Sequence, residues 1–286
     1  NLQLRETLQL RRQHGASDSE IAGSLNNLAF TLLTLGHARE ARELFREGAE
    51  LRERMQSELS LDGTLMRMNI AVASRDLGDF SAADAEFAQV RSRLLKLVGG
   101  DGTAPPQHPT LTGLLLHESV NAQLQNNLAL ALDKIQASLA MTVSLNGGQA
   151  DAPATLPQRR ERGRILLLLG RLDEAQPDIA FACAQIRQRF GEASSANGSC
   201  TLLSAELAEA RGNTQSALEQ ASVAIDIFSQ GSEREVRSGV DFARALLLRN
   251  RLATPPAPAD LEQARSLLKS AEDLVRARQL ADRLSG

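Results

Sequence analysis

The chain has 286 residues and a formal net charge of -3 at pH 7, so nothing in its charge favours nucleic acid or an acidic membrane as a partner. Hydrophobic residues make up 42% of the sequence but aromatic residues only 3%, and Trp and Tyr are absent. The core must therefore consist of Leu, Ala and Ile, which suits thin helical layers better than a sandwich or barrel. No uninterrupted apolar run approaches the roughly 20 residues of a membrane span.

The first predicted element, residues 1–14, reads as the second helix of a helix pair. We therefore expect the natural protein to continue upstream of Asn1, although a low-charge cap at Asn1 is an alternative. The next segment, residues 20–56, predicts a complete pair. Its first helix carries an apolar face at spacings i, i+3, i+4 and i+7, and Gly36 ends that helix where a positive φ is wanted. The face consists of Leu25, Leu28, Ala29 and Leu32.

The turn sequence of this pair, GHAREA at Gly36–Ala41, recurs along the chain. Related turns begin at residues 78, 126, 170, 212 and 259, at intervals of 42, 48, 44, 42 and 47 residues. A fixed period with variable loops is typical of stacked supersecondary units. The predicted helix pairs are residues 20–56, 64–98, 110–145, 158–190, 198–230 and 234–283. We expect Gly99–Pro109 and Asn146–Pro157 to be loops, and residues 260–283 to form one long amphipathic helix.

The segment SLNNLAFTLLTLGHAREARELFREG, together with its recurrences, resembles the tetratricopeptide repeat in its 42-residue kinesin light chain-like form. The signature residues are Leu25, Leu28, Ala29, Leu32, Gly36, Ala41 and Phe45. The resemblance implies an all-α fold, a right-handed superhelical solenoid of antiparallel helix pairs. About six repeats and a partial N-terminal one would form a single domain over residues 1–286.

In this family the first helix of each pair lines a concave surface that binds peptides. Alignment on the turns predicts the following concave residues: Asn26, Asn27, Phe30, Met68, Asn69, Val72, Arg75, Leu116, Val120, Arg160, Arg164, Glu206 and Arg244. Asn27 and Asn69 lie 42 residues apart and resemble the asparagine ladder that hydrogen-bonds an extended peptide backbone. The alternative is that both amides satisfy helix ends or neighbouring loops.

This predicted surface combines apolar residues with a basic centre. Phe30 and Met68 would anchor apolar side chains, while Arg160 and Arg164 would attract acidic ones. We therefore expect a protein or peptide partner with apolar and acidic groups, although two solvated arginines are equally compatible with the sequence. Phe30 stands where the resemblance would place the Asn of a carboxylate clamp, so recognition of a C-terminal carboxylate is disfavoured.

Cys183 and Cys200 are the only two cysteines. By register they lie on adjacent helices of the fourth and fifth pairs. One reading is a disulfide, which would imply an oxidising compartment. The other is two small buried core residues, as free cysteines commonly are.

The sequence contains no constellation that predicts catalysis, a metal or a cofactor. Its four histidines do not pair at metal-ligand spacings, and phosphate-loop, nucleophile-elbow and kinase motifs are absent from the chain. We therefore expect a non-enzymatic chain without a cofactor.

The richness in Arg, Ala and Leu suggests a bacterium with a high-GC genome. The phrases RETLQLRRQHG and GHAREARELFREGAELRER resemble repeats appended to bacterial serine/threonine protein kinases. That resemblance implies a sensor or docking region of a signalling kinase, placed in the periplasm as part of a membrane-anchored protein. The alternative is a stand-alone cytoplasmic scaffold or peptide-responsive regulator.

Overall fold

The computed structural model describes residues 2–55, 59–99, 107–231, 236–271 and 274–285. Every regular element within these ranges is helical and no strand occurs among them, so the chain has the all-α helical-repeat solenoid fold that was predicted. Most of the predicted loop Gly99–Pro109 lies outside the described residues, as do Gln56 and residues 234–235, which were predicted to be helical. The chain divides into two compact units, which are described in turn. The single domain over residues 1–286 remains a prediction.

Unit 1 comprises residues 1–121 and 273–275. Its helices are α1 (Leu2–Gln13), α2 (Asp18–Thr34), α3 (Ala38–Met55), α4 (Leu61–Asp76), α5 (Phe80–Leu97) and α6 (Pro109–Leu124), the last of which continues into unit 2 from Ala122. From α1 to α5 each helix packs against the next along the chain. The predicted apolar face of α2 is fully buried, with Leu25, Leu28, Ala29 and Leu32 all at most 2% exposed.

Unit 2 comprises residues 122–272 and 276–286. Its helices are α7 (Leu128–Leu145), α8 (Leu156–Leu168), α9 (Leu172–Phe190), α10 (Ser195–Ala210), α11 (Thr214–Gln230), α12 (Val236–Leu252), α13 (Pro258–Ser270) and α14 (Val275–Ser285). From α7 to α13 each helix packs against its successor. One side of α10 also meets α8 and α12, which share its position in their pairs.

Each of the first five hairpin turns contains one residue with positive φ. Gly36, Gly78, Gly170 and Gly212 take φ values between 71° and 86°, and Asn126 takes 61° in the third turn. Asn tolerates the left-handed region better than other non-glycine residues. The departure from Gly at position 126 therefore leaves the turn geometry unchanged.

Capping side chains set several helix starts that periodicity alone predicted too late. Ser60 accepts a hydrogen bond from the Gly63 amide and begins α4 at Leu61. Ser194 caps α10 in the same way, so that helix begins at Ser195. A side-chain oxygen at the N-cap satisfies a backbone amide that has no partner within the helix.

The prediction of one long helix over residues 260–283 is wrong. Helix α13 ends at Ser270, and α14 begins at Val275. Ala271 closes α13 with φ -113° and its amide donates to the Leu268 carbonyl.

Helix α7 is the one described helix that is long and apolar enough, by length and composition alone, to cross a membrane. The mean hydropathy of its 18 residues is 1.3, and 28% of them are buried. Sequence inspection overlooked it because Asp133 and Lys134 interrupt its apolar run. Ala131 and Ile135 are fully buried, as the second helix of a packed pair requires.

Candidate functional site

In unit 1, α2 presents a polar and aromatic surface. Asn27 is exposed, Asn26 is half-buried, and the Phe30 side chain is 60% exposed. The amide side chains of Asn26 and Asn27 make no hydrogen bond within the described residues, and neither residue caps a helix. An exposed phenyl ring beside two available amides can bind both an apolar side chain and a peptide unit.

Helix α4 supplies the equivalent residues of the next pair. Met68 and Asn69 are half-buried, and within the described part of the chain the Asn69 amide also lacks a hydrogen-bond partner. The expectation that Val72 and Arg75 are surface residues is wrong, because each is only 5% exposed. Arg75 instead pairs with Asp76 at 2.9 Å. The second half of α4 is buried on every side, so helical register alone did not identify its accessible face.

On α6, Leu116 and Val120 are half-buried. They flank His117, whose ring stacks on Phe87 of α5 with ring centroids 6.4 Å apart and planes 5° apart. We call the accessible predicted residues of this unit the unit 1 row. It consists of Asn26, Asn27, Phe30, Met68, Asn69, Leu116 and Val120.

In unit 2, Arg160 and Arg164 lie one turn apart on α8. Arg160 is exposed and Arg164 half-buried, and neither forms an ion pair with a described residue. The Nε of Arg164 is buried without a hydrogen-bond acceptor. The pKa of the Arg160 guanidinium is lowered, first by desolvation and then by repulsion from Arg164. Two neighbouring guanidiniums favour an acidic ligand group.

Glu206 of α10 and Arg244 of α12 neutralise each other. Arg244 donates to Glu206 at 2.6 Å and to Asp241 at 2.8 Å. Desolvation alone would lower the pKa of Arg244, but its attraction to these two carboxylates raises it. These predicted site residues are therefore part of an internal ion-pair network, and Asp241 also attracts both arginines of α8.

Sequence reasoning missed Asp241 at the centre of this network. Burial alone would raise the pKa of its carboxyl, but Arg244, Arg164 and a hydrogen bond from Ser199 lower it. Its position three residues before Arg244 on the same helix was the available signal. We call Arg160, Arg164, Ser199, Glu206, Asp241 and Arg244 the unit 2 row.

Cys183 and Cys200 form a disulfide between α9 and α10. Among the described residues no group of three or more His, Cys, Asp or Glu side chains is placed to hold a metal ion.

Comparisons with known proteins agree with this geometry. The family model of the tetratricopeptide repeat matches residues 21–55, which confirms the resemblance on which the sequence interpretation rests. Comparison with curated proteins finds no match.

Solved structures show the same fold. BtubC (BKLC) from P. vanneervenii superposes with a TM-score of 0.54 at 15% identity, over 87% of this chain and 91% of that one. A variant of a Podosopora anserina protein with nearly identical TPR-like repeats, assigned to the kinesin light chains, gives a TM-score of 0.50 at 17% identity. That match covers 72% of this chain and 94% of the other. At these identities the likeness concerns the fold alone.

Proposed function

We propose that this chain is a non-catalytic module that binds protein or peptide segments through the unit 1 and unit 2 rows. Tetratricopeptide repeats are generally protein- or peptide-binding modules. The observation that carries the proposal is the surface of α2, where Phe30 is 60% exposed beside amides that bond to no described residue. Exposed aromatic rings of this size are common anchors of interfaces.

The partner we propose is a protein or peptide with apolar and acidic groups, and each row binds a segment of it independently. Asn27 and Asn69 would each bond one peptide unit through a donor and an acceptor. Arg160 and Arg164 would bind acidic side chains, because their guanidiniums form no ion pair with a carboxylate among the described residues.

The wider role we propose is the sensor or docking region of a bacterial signalling protein, with a serine/threonine kinase as the favoured parent. The support is the resemblance of GHAREARELFREGAELRER to repeats of such kinases. A stand-alone scaffold is the alternative. A Cys183–Cys200 disulfide supports an oxidising compartment such as the periplasm, since disulfides are rare in the cytosol.

The test is selection of peptides from a random displayed library on the intact chain. We expect enriched peptides to share an apolar residue and an Asp or Glu, and to bind more weakly as salt rises. The double variant Asn27→Ala/Asn69→Ala should lose at least tenfold in affinity. The matched control, Gln89→Ala/Gln136→Ala, removes two exposed amides from second helices and should bind normally.

The arginines are tested separately with Arg160→Glu/Arg164→Glu, which should lose acidic peptides. Arg187→Glu, at an exposed site on α9, is the control. Unchanged binding by both double variants, or a library that yields no specific peptide, would reject the proposed function.

A further inference from the structure

Helices α13 and α14 of unit 2 form an open groove with a volume of about 360 Å³. It shares no residue with the unit 1 row or the unit 2 row. Its lining consists of apolar and basic residues from both helices, namely Arg265, Leu268, Lys269, Ala277, Arg278, Ala281 and Leu284. A volume of this order is within the range of known ligand-binding clefts.

The floor of the groove is apolar and is only partly filled. Leu268 of α13 is 3% exposed, and Ala277 of α14 is 1% exposed. Ala281 lies one turn beyond Ala277 on the same face of α14 and is exposed, and Leu284 is half-buried three residues later. The two alanines end at Cβ, so they leave space beside Leu268 that larger side chains would fill in a close-packed interior. The floor runs for about 10 Å along α14.

The rim of the groove is basic. Arg265 and Lys269 lie one turn apart on α13, both are exposed, and neither forms an ion pair or a hydrogen bond with a described residue. Arg278 supplies a third cation from α14, and no described Asp or Glu lines the groove. Cations around an apolar strip create a positive potential that attracts acidic groups.

The described carboxylates of α13 and α14 do not neutralise the two cations of α13. Asp260 is 4% exposed and accepts hydrogen bonds from Arg249 of α12 at 2.6 and 2.7 Å. Glu262 and Asp282 are exposed, and neither lines the groove. The two free cations of the rim are therefore available to acidic groups of another molecule.

The shape of the groove favours a helical segment over a small molecule. Small-molecule sites enclose most of the surface of their ligand, whereas this groove is open to solvent and Ala281 within it is exposed. A helix that lies along such a groove contacts it through residues at i, i+3 or i+4, and i+7. Two turns of that helix span about 10 Å, which matches the length of the floor.

We propose that this groove binds an acidic amphipathic helix of a partner protein. The apolar residues of that helix pack on Leu268, Ala277 and Ala281, and its Asp or Glu residues pair with Arg265 and Lys269. The inference does not rest on the proposed function, because the groove is separate from both rows.

The test uses the full chain and a labelled synthetic helix with Leu at i, i+4 and i+7, Glu at the flanking positions and Ala elsewhere. Fluorescence anisotropy should show saturable binding that weakens as salt rises. Arg265→Glu/Lys269→Glu should bind this probe at least tenfold more weakly. The matched control, Arg39→Glu/Arg187→Glu, makes the same charge change at exposed sites on α3 and α9 and should bind normally.

Two further variants of the experiment separate a direct contact from a loss of structure. Ala281→Leu fills the groove at an exposed position and should weaken binding at least tenfold, whereas Ala137→Leu, at an exposed site on α7, should not. A probe with Lys in place of Glu should bind Arg265→Glu/Lys269→Glu more tightly than the wild type. A misfolded variant would not show this reversed charge preference.

Equal binding of the Glu probe by the wild type and Arg265→Glu/Lys269→Glu would overturn the proposal, as would no binding by the wild type. A probe with a central Pro should not bind, and equal binding would exclude a helical partner. If phosphatidylglycerol vesicles bind the wild type through Arg265 and Lys269 but the probe does not bind, the groove takes an anionic lipid instead.

The proposed function is tested by different variants, so the two failures are distinguishable. Asn27→Ala/Asn69→Ala and Arg160→Glu/Arg164→Glu should bind the Glu probe as the wild type does. Loss of the probe in either variant would place it on a row and would overturn the assignment to the groove.

Discussion

Cys183 on α9 and Cys200 on α10 form a disulfide, with their Cα atoms 5.4 Å apart. The bond joins the second helix of the fourth pair to the first helix of the fifth, at a sequence separation of 17 residues. It therefore fixes the contact between two repeats, which in a stacked fold carries much of the cooperativity. The same α10 supplies Ser199 and Glu206 to the unit 2 row.

Reduction of this disulfide should lower the free energy of unfolding by about 3 kcal/mol, because the cross-link restricts a loop of roughly 15 residues in the unfolded chain. Urea titrations with and without dithiothreitol measure the change. The double variant Cys183→Ser/Cys200→Ser should be insensitive to reductant. An identical midpoint for the reduced and oxidised wild type would mean that the bond does not constrain unfolding.

Replacement of Asp178 by Ala should destabilise the chain by about 3 kcal/mol, because it removes the buried carboxylate that the half-buried Arg159 and Arg162 share. Asp178 is fully buried on α9 and accepts hydrogen bonds from both Arg159 and Arg162 of α8. Asp151, which is 80% exposed in its pair with Arg159, is the control, and its replacement by Ala should cost at most about 1 kcal/mol. Comparable thermal midpoints for the two variants would contradict this account.

Substitution by Ala should lower stability at Gly163 and raise it at Gly23. A Cβ at Gly163 would lie 2.8 Å from Cγ1 of Ile179, so Gly163→Ala should destabilise the chain by about 1–3 kcal/mol through overpacking between α8 and α9. At Gly23 a Cβ meets nothing within 4 Å, so Gly23→Ala should stabilise α2 by about 0.5–1 kcal/mol. Calorimetry of both variants checks the prediction, and a destabilised Gly23→Ala would show that α2 packs more closely than described.

Alanine substitutions at Phe30 and Phe45 should separate an effect on peptide binding from an effect on stability. Phe45 is fully buried between helices, so Phe45→Ala should cost about 3–5 kcal/mol. Phe30 is 60% exposed, so Phe30→Ala should change stability by at most about 0.5 kcal/mol while it weakens selected peptides. Denaturant titration and peptide affinity, measured on the same samples, provide the two readouts. A large loss of stability in Phe30→Ala would give that ring a structural role instead.

Local patterns in the sequence were sufficient to predict the repeats. The spacing of Leu25, Leu28 and Leu32 predicted the buried face of α2, and the recurring turns predicted each hairpin. The exchange of Gly for Asn126 did not disturb the pattern, since both residues accept a positive φ. Helix starts were less accurate because a cap such as Ser194 acts on the residues that precede the periodic pattern.

The candidate site was only partly predictable. Alignment on the turns placed Asn27, Phe30 and Arg160 on accessible surface, but it also placed Arg75 there, and Arg75 is buried against Asp76. Helical register predicts the direction in which a side chain points. It does not predict whether other parts of the chain bury that side chain, because burial depends on residues distant in sequence.

The sequence by itself determined the helix pairs and their order, because apolar periodicity and, in the first five turns, a residue with positive φ act within a single repeat. Only the tertiary structure showed that α13 ends at Ser270 and that Arg75 is buried against Asp76. The bond from Gln279 to Leu124 spans 155 residues and has no local counterpart in either segment. A contact of this kind joins residues far apart in sequence, so no pattern within one repeat predicts it.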